Sequence, residues 1–173
     1  ENHNRRVING TNVLKLEFSK VLRQLLLKKS GFKTPKTIVA VGINKIKEAA
    51  SNLNIYPMIV KPNQGGKGFG VKLINTTNEL DTMLKDNLIT SSKDDTWLLQ
   101  EKISTNDDFI TRMEFVGGNF IYSLKVYSKN SFELCPADTC EIDFDEFCPV
   151  NEINDTKNSQ PSFFIDKTPD KEL

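Results

Sequence analysis

Between Lys61 and Val71 the chain reads Lys-Pro-Asn-Gln-Gly-Gly-Lys-Gly-Phe-Gly-Val. Gly65, Gly66, Gly68 and Gly70 carry no Cβ to hold a ligand away, so the backbone N–H groups of this loop are free to close on a phosphate. The flanks decide among the motifs that use this device. A Walker loop needs Gly-Lys-Ser/Thr opening a helix, but Lys67 is followed by Gly68. A dinucleotide fingerprint needs a helix after the glycines, whereas Val71–Ile74 is a β-branched, strand-like run. Strand, glycines, strand is the pattern of a flap over phosphates, as in protein kinases. In those enzymes the phosphate-binding lysine follows the loop; here Lys61 precedes it, and no His-Arg-Asp or Asp-Phe-Gly segment is present. A glycine-rich hairpin with no ligand is the other reading of the loop alone.

The remaining elements follow from spacing. Leu14, Phe18, Val21, Leu22, Leu25 and Leu26 share one helical face, which Gly31 is placed to end. Thr37–Val41 predicts a strand, and Ile43–Leu53 returns to helical spacing through Ile46, Ala49, Ala50 and Leu53. Pro57–Lys61 and Val71–Ile74 predict strands on either side of the glycines. Thr76 with Glu79 is a capping box that opens a helix to about Asn87. Trp97–Gln100, Phe109–Val116, Asn119–Tyr127 and Phe132–Cys135 read as strands, with Gly117-Gly118 as a hairpin turn. Beyond Val150 the chain is polar and carries Pro161 and Pro169, which predicts a flexible tail.

Composition narrows the function classes. With 173 residues the chain has room for one domain or one and a half. Its 23 basic and 23 acidic residues cancel, which argues against a nucleic-acid or membrane-surface binder. No run approaches the roughly 20 apolar residues of a membrane-spanning helix. Cys135, Cys140 and Cys148 are an odd number clustered late in the chain, so a reducing compartment, the cytoplasm, is expected. Their spacing, with the single His3 far away, makes a poor zinc site and favours buried structural thiols. The chain begins at Glu1 with no signal peptide, and is read as a piece of something longer.

Four ordered motifs then point one way. A strand ending Ile-Val-Lys-Pro is followed by Gly-Gly-x-Gly-x-Gly-Val. After a helix comes an apolar strand ending Gln-Glu-Lys-Ile, and after that an Arg-Met-Glu-Phe-Val-Gly-Gly-Asn-Phe-Ile-Tyr hairpin. Upstream, Phe18-Ser-Lys20 precedes a helix and a Gly31-Phe-Lys-Thr-Pro35 turn. Over roughly residues 10 to 135 this resembles the ATP-grasp superfamily, which includes D-alanine–D-alanine ligase, glutathione synthetase and ribosomal-protein glutamate ligases. The resemblance implies an α+β fold in which an antiparallel sheet packs on helices. Residues 11–97 would form the small lobe, 98–150 a hinge and an incomplete second lobe, and 151–173 the flexible tail. It also implies an ATP-dependent ligase that activates a carboxylate as an acyl-phosphate for attack by an amine, neither substrate being readable. The alternative is a non-catalytic nucleotide-binding or interaction module derived from such a protein.

The same resemblance assigns roles. Lys20 and Lys61 would put cationic ends on the ATP phosphates. Gly65, Gly66, Gly68 and Gly70 would form the flap with Lys67 at its tip. Gln100, Glu101, Lys102 and Ile103 would be the hinge: backbone groups pair with the adenine edge, Glu101 accepts from its amine, and Ile103 packs on the ring. Asp108 matches the carboxylate that binds ribose hydroxyls. Arg112, as the catalytic residue, matches an arginine directed at the phosphates or the acyl-phosphate. Taken singly, Lys20 also reads as a solvated helix lysine, Glu101–Lys102 as an exposed pair and Arg112 as a surface strand residue. The family also uses Mg²⁺ held on an Asp and a later Glu-x-Asn. Glu152-Ile-Asn154, with Asp143 and Asp145 upstream, spells that pattern but leaves no room for the helix that should precede it, so the metal ligands are left unassigned.

Overall fold

Period-2 alternation sets the first sheet. In β2 (Met58–Pro62) Met58, Val60 and Pro62 are buried, while Ile59 and Lys61 lie on the opposite face and are only partly covered. The computed structural model describes residues 6–66, 68–104, 109–127 and 163–166, in two units, Glu1–Ser104 and Thr105–Leu173.

In the first unit four antiparallel strands run in the order β1–β4–β2–β3. They are β1 (Thr37–Val41), β2, β3 (Lys72–Ile74) and β4 (Thr96–Glu101). β2 and β3 pair across the glycine loop, Met58 opposite Ile74 and Val60 opposite Lys72, so the segment is the strand–glycines–strand hairpin its sequence predicts. On one face the sheet packs against α3 (Ile46–Leu53), which a 3₁₀ turn at Ile43–Lys45 precedes, and α4 (Thr77–Lys85). Ile46, Met58, Ile74, Leu80 and Leu99 are almost wholly excluded from water there, each contributing about 1.5–3 kcal/mol. Thr76 caps α4 as predicted, its Oγ1 accepting from Glu79 N at 3.2 Å. The Glu79 carboxylate reaches back to Asn75 N at 2.7 Å, one residue earlier than a capping box requires.

The helical stretch predicted from Leu14 onward is two helices, α1 (Thr11–Phe18) and α2 (Lys20–Lys29). Ser19 is extended between them, and its Oγ accepts from Leu22 N at 3.2 Å. A serine hydroxyl competes for backbone donors, which apolar periodicity does not register. Neither helix buries a residue, so Leu22, Leu25 and Leu26 remain exposed. Gly31 ends α2 as predicted: Phe32 N donates to Leu27 O and Gly31 N to Lys28 O, a Schellman arrangement.

The second unit is a sheet in the order β5–β6–β7: β5 (Phe109–Val116), β6 (Asn119–Tyr127) and β7 (Phe163–Asp166). The β5–β6 hairpin turns at Gly117 and Gly118, with a register shift at Glu114/Phe115. Phe115 and Phe120 meet edge to face at 5.7 Å, and the Lys125 ammonium stands 4.8 Å from the Phe109 ring centre. Within the stretch read as a flexible tail, the apolar Phe163–Ile165 lies in β7, paired antiparallel with β6. The strand predicted at Phe132–Cys135 lies outside the described residues, as do all three cysteines. The architecture is therefore α+β with antiparallel sheets, as the sequence implied. Among the described residues no helix is long and apolar enough to cross a membrane.

Candidate functional site: cations at the base of a glycine loop

On the sheet face opposite α3 and α4, β2 presents Lys61. Register places Lys61 opposite Leu98, so Gln100 is its diagonal neighbour on the same face. Lys61 Nζ donates to Gln100 Oε1 at 2.7 Å, and Gln100 Nε2 donates to Thr37 Oγ1 at 2.8 Å. Gln100 is 7% exposed. Sequence reasoning gave it a backbone role at a hinge; the structure shows its side chain holding an ammonium. Lys61 is pushed down from 10.5 to about 8, first by burial and then by the positive charges of Lys20 and Arg23. Gln100 offers an oxygen but no negative charge, so among the described residues no ion pair compensates the desolvation of this lysine.

Lys20 arrives from the first turn of α2. Its Nζ donates to Gly65 O at 2.9 Å and Asn63 O at 3.3 Å. Burial lowers its pKa, Arg23 lowers it further, and Asp94 partly opposes both. Arg23 lies three residues on, hence on the same side of the helix. Sequence reasoning did not single out Arg23, although that spacing from Lys20 was the available signal. Lys20 and Lys61, both partly desolvated, thus form with the exposed Arg23 a cationic cluster next to the glycine loop. Such a cluster attracts an anion, because an incoming negative group restores what burial and mutual repulsion remove.

The loop is built for close approach. Gly70 has φ +72°, and a Cβ there would lie 3.1 Å from Thr90 Cβ and 3.2 Å from Pro62 Cγ. Gly65 and Gly66 are exposed with open space around the missing Cβ, and Gly68 is partly covered. Lys67 lies outside the described residues, as does Asp108.

The other predicted residues are placed as follows. Glu101 Oε1 accepts from Lys36 N at 2.9 Å, and Glu101 N donates to Lys36 O at 3.0 Å, tying the end of β4 to the start of β1. Lys102 is exposed and its N–H donates to Pro57 O at 3.2 Å. Ile103 is 56% exposed, available to a flat apolar partner. Arg112 belongs to the second unit, on β5, where its guanidinium meets Glu114 at 3.2 Å. Lys20, Lys61, Gly65 and Gln100 therefore come together. Among the described residues no group of three or more His, Cys, Asp or Glu side chains could hold a metal ion. Asp143, Asp145, Glu152 and Asn154 lie outside them, so no residue described fits Mg²⁺.

The first unit is thus a four-stranded antiparallel sheet with α3 and α4 on one face and, on the other, Lys61 and Gln100 beside Lys20 of α2 and the start of the glycine loop. The model of the RimK-like ATP-grasp domain matches residues 18–134, and the chain belongs to that family. The RimK domain ATP-grasp protein of Sphaerobacter thermophilus DSM 20745 is similar at 18% identity and TM-score 0.59, over 72% of this chain and 46% of that one. The ADP complex of purK, N5-carboxyaminoimidazole ribonucleotide synthetase, gives 15% and 0.57 over 70% and 32%. The D-alanine–D-alanine ligase of Bacillus anthracis gives 23% and 0.51 over 64% and 34%. At these identities the likeness establishes the fold, and the chain spans less than half of each protein. No curated protein matches.

Proposed function

We propose that the first unit binds the phosphates of ATP through Lys20, Lys61 and the glycine loop, as the nucleotide-binding part of an ATP-dependent carboxylate–amine ligase. The observation that carries this is the convergence of Lys20, Arg23 and Lys61 near Gly65, with Lys61 depressed to about 8 and, among the described residues, no carboxylate paired with it. The exposed glycine backbone supplies N–H donors, and Ile103 an apolar surface for the adenine ring. In the reaction a carboxylate oxygen bonds to the γ-phosphorus as the bond to the bridging oxygen breaks and ADP leaves. The amine nitrogen then bonds to the acyl carbon and loses a proton as phosphate departs. The lysines offset charge that accumulates on the transferred group. By the family resemblance alone, Arg112 would act on the acyl-phosphate and Asp108 on the ribose. Mg²⁺, which would supply positive charge against the transferred phosphoryl group, is given no ligands among the described residues. The single-cluster cysteine pattern supports a cytoplasmic setting.

Titration calorimetry with ATP on wild type and Lys61→Ala tests the site. Loss of a charge-assisted phosphate contact should weaken binding about ten- to a hundredfold; equal affinities would remove Lys61 from the site. Acid- and amine-dependent ADP release would establish the ligase, and binding without it the non-catalytic module.

A further inference from the structure

Lys20 and Lys61 come from different elements, and little apolar packing holds those elements together. α2 buries no residue, and a cavity of about 220 Å³ separates it from the sheet, lined by Val21, Gln24, Leu25, Thr37, Val39 and Leu98 among others. What locates its first turn is polar. Asn63, two residues beyond Lys61 and 7% exposed, accepts at Oδ1 from Val21 N at 3.0 Å and from Ser19 Oγ at 3.2 Å. Its Nδ2 donates to Asp94 Oδ2, and Asp94 also accepts from Ser92 Oγ at 2.8 Å. Its backbone oxygen accepts from both Lys20 N and Lys20 Nζ at 3.3 Å, and its own N–H donates to Thr96 O at 2.9 Å. Every polar group of this buried residue is thus matched, and each match on the α2 side lies within one residue of Lys20.

We infer that Asn63, held by Asp94, is a positioning residue that sets the Lys20 ammonium against Gly65 and beside Lys61. An asparagine suits this because it accepts from a helix N-terminus at one atom and donates to a carboxylate at the other. Leucine has the same size and does neither. Without the latch, the under-packed α2 can swing, and Lys20 leaves the loop while Lys61 keeps its partner Gln100. For its ligand the inference rests on the ATP-binding reading; its geometric content does not.

The experiment is a double-mutant cycle on the full chain with two readouts. The first is ATP affinity of Asn63→Leu, Lys20→Met and the double variant. Expected is a loss of about tenfold for Asn63→Leu in the wild-type background and almost none once Lys20 is methionine. The second readout needs no nucleotide: the titration midpoint of the Lys61 ammonium, followed by NMR. Lys20 helps hold that midpoint down, so Asn63→Leu should raise it toward its Lys20→Met value and change nothing further in the double variant. Should Asn63→Leu fail to fold, the exchange Asn63→Asp with Asp94→Asn replaces it. Asn63→Asp alone sets two carboxylates face to face and should weaken both readouts, and adding Asp94→Asn should restore them. Undiminished effects of Asn63→Leu in the Lys20→Met background, or no rescue by the exchange, would overturn the inference. A wild type that binds no ATP overturns the proposed function instead, and the Lys61 titration still decides the role of Asn63.

Discussion

Raising the pH from 7 to 9 should weaken ATP binding through Lys61. In the free protein this lysine titrates at about 8, because burial and the charges of Lys20 and Arg23 disfavour its protonated form. A bound phosphate reverses that balance and draws a proton onto the amine. Below pH 8 the free ammonium is already charged and affinity is flat. Above it, each pH unit removes about 1.4 kcal/mol, or tenfold in affinity, as long as the bound lysine stays protonated. At pH 9 about a tenth of free Lys61 carries its proton, so binding should be roughly tenfold weaker than at pH 7. Calorimetry at pH 7, 8 and 9, in buffers of differing ionisation enthalpy, reads both the affinity and the proton taken up. Lys61→Arg, which cannot deprotonate, should bind with a flat profile, and Lys61→Ala should be weak and flat. If wild type and Lys61→Ala change alike with pH, the titrating group is not Lys61 and the electrostatic account of the site is wrong.

Two further outcomes concern stability. Because Lys61 ordinarily titrates at 10.5 and here at about 8, the unfolded chain holds more protons between those values, so stability should rise with pH across that window, the penalty being complete below 8. Lys61→Met removes the penalty and should stabilise the nucleotide-free protein at pH 7 by about 1–2 kcal/mol, raising the thermal midpoint while weakening ATP binding; an unchanged or lower midpoint contradicts it. Gly70→Ala places a Cβ at φ +72° against Thr90 and Pro62 and should destabilise by about 1–3 kcal/mol in urea titration. A wild-type midpoint would show that the base of the loop yields freely.

The sequence by itself determined the elements that local chemistry governs. The strand–glycines–strand order around Gly65–Gly70, the Thr76 cap, the Gly31 terminus and the β5–β6 hairpin depend on neighbours a few residues apart, and such signals are written in the chain. Lys20 and Lys61 were legible only through their place in an ordered set of motifs. Tertiary structure decided the rest. Nothing in the apolar spacing shows that Ser19 divides the first helix, since its hydroxyl acts on α2 and on Asn63, 44 residues away. That Gln100 answers Lys61 with a side chain, that Arg23 joins the cluster, and that Asn63 links α2 to Asp94 all depend on partners 31 to 44 residues apart brought into register. The pKa of Lys61 has the same origin. An isolated lysine in sequence is an ordinary base, and it becomes poised near 8 only when the fold takes its water away and sets two cations beside it.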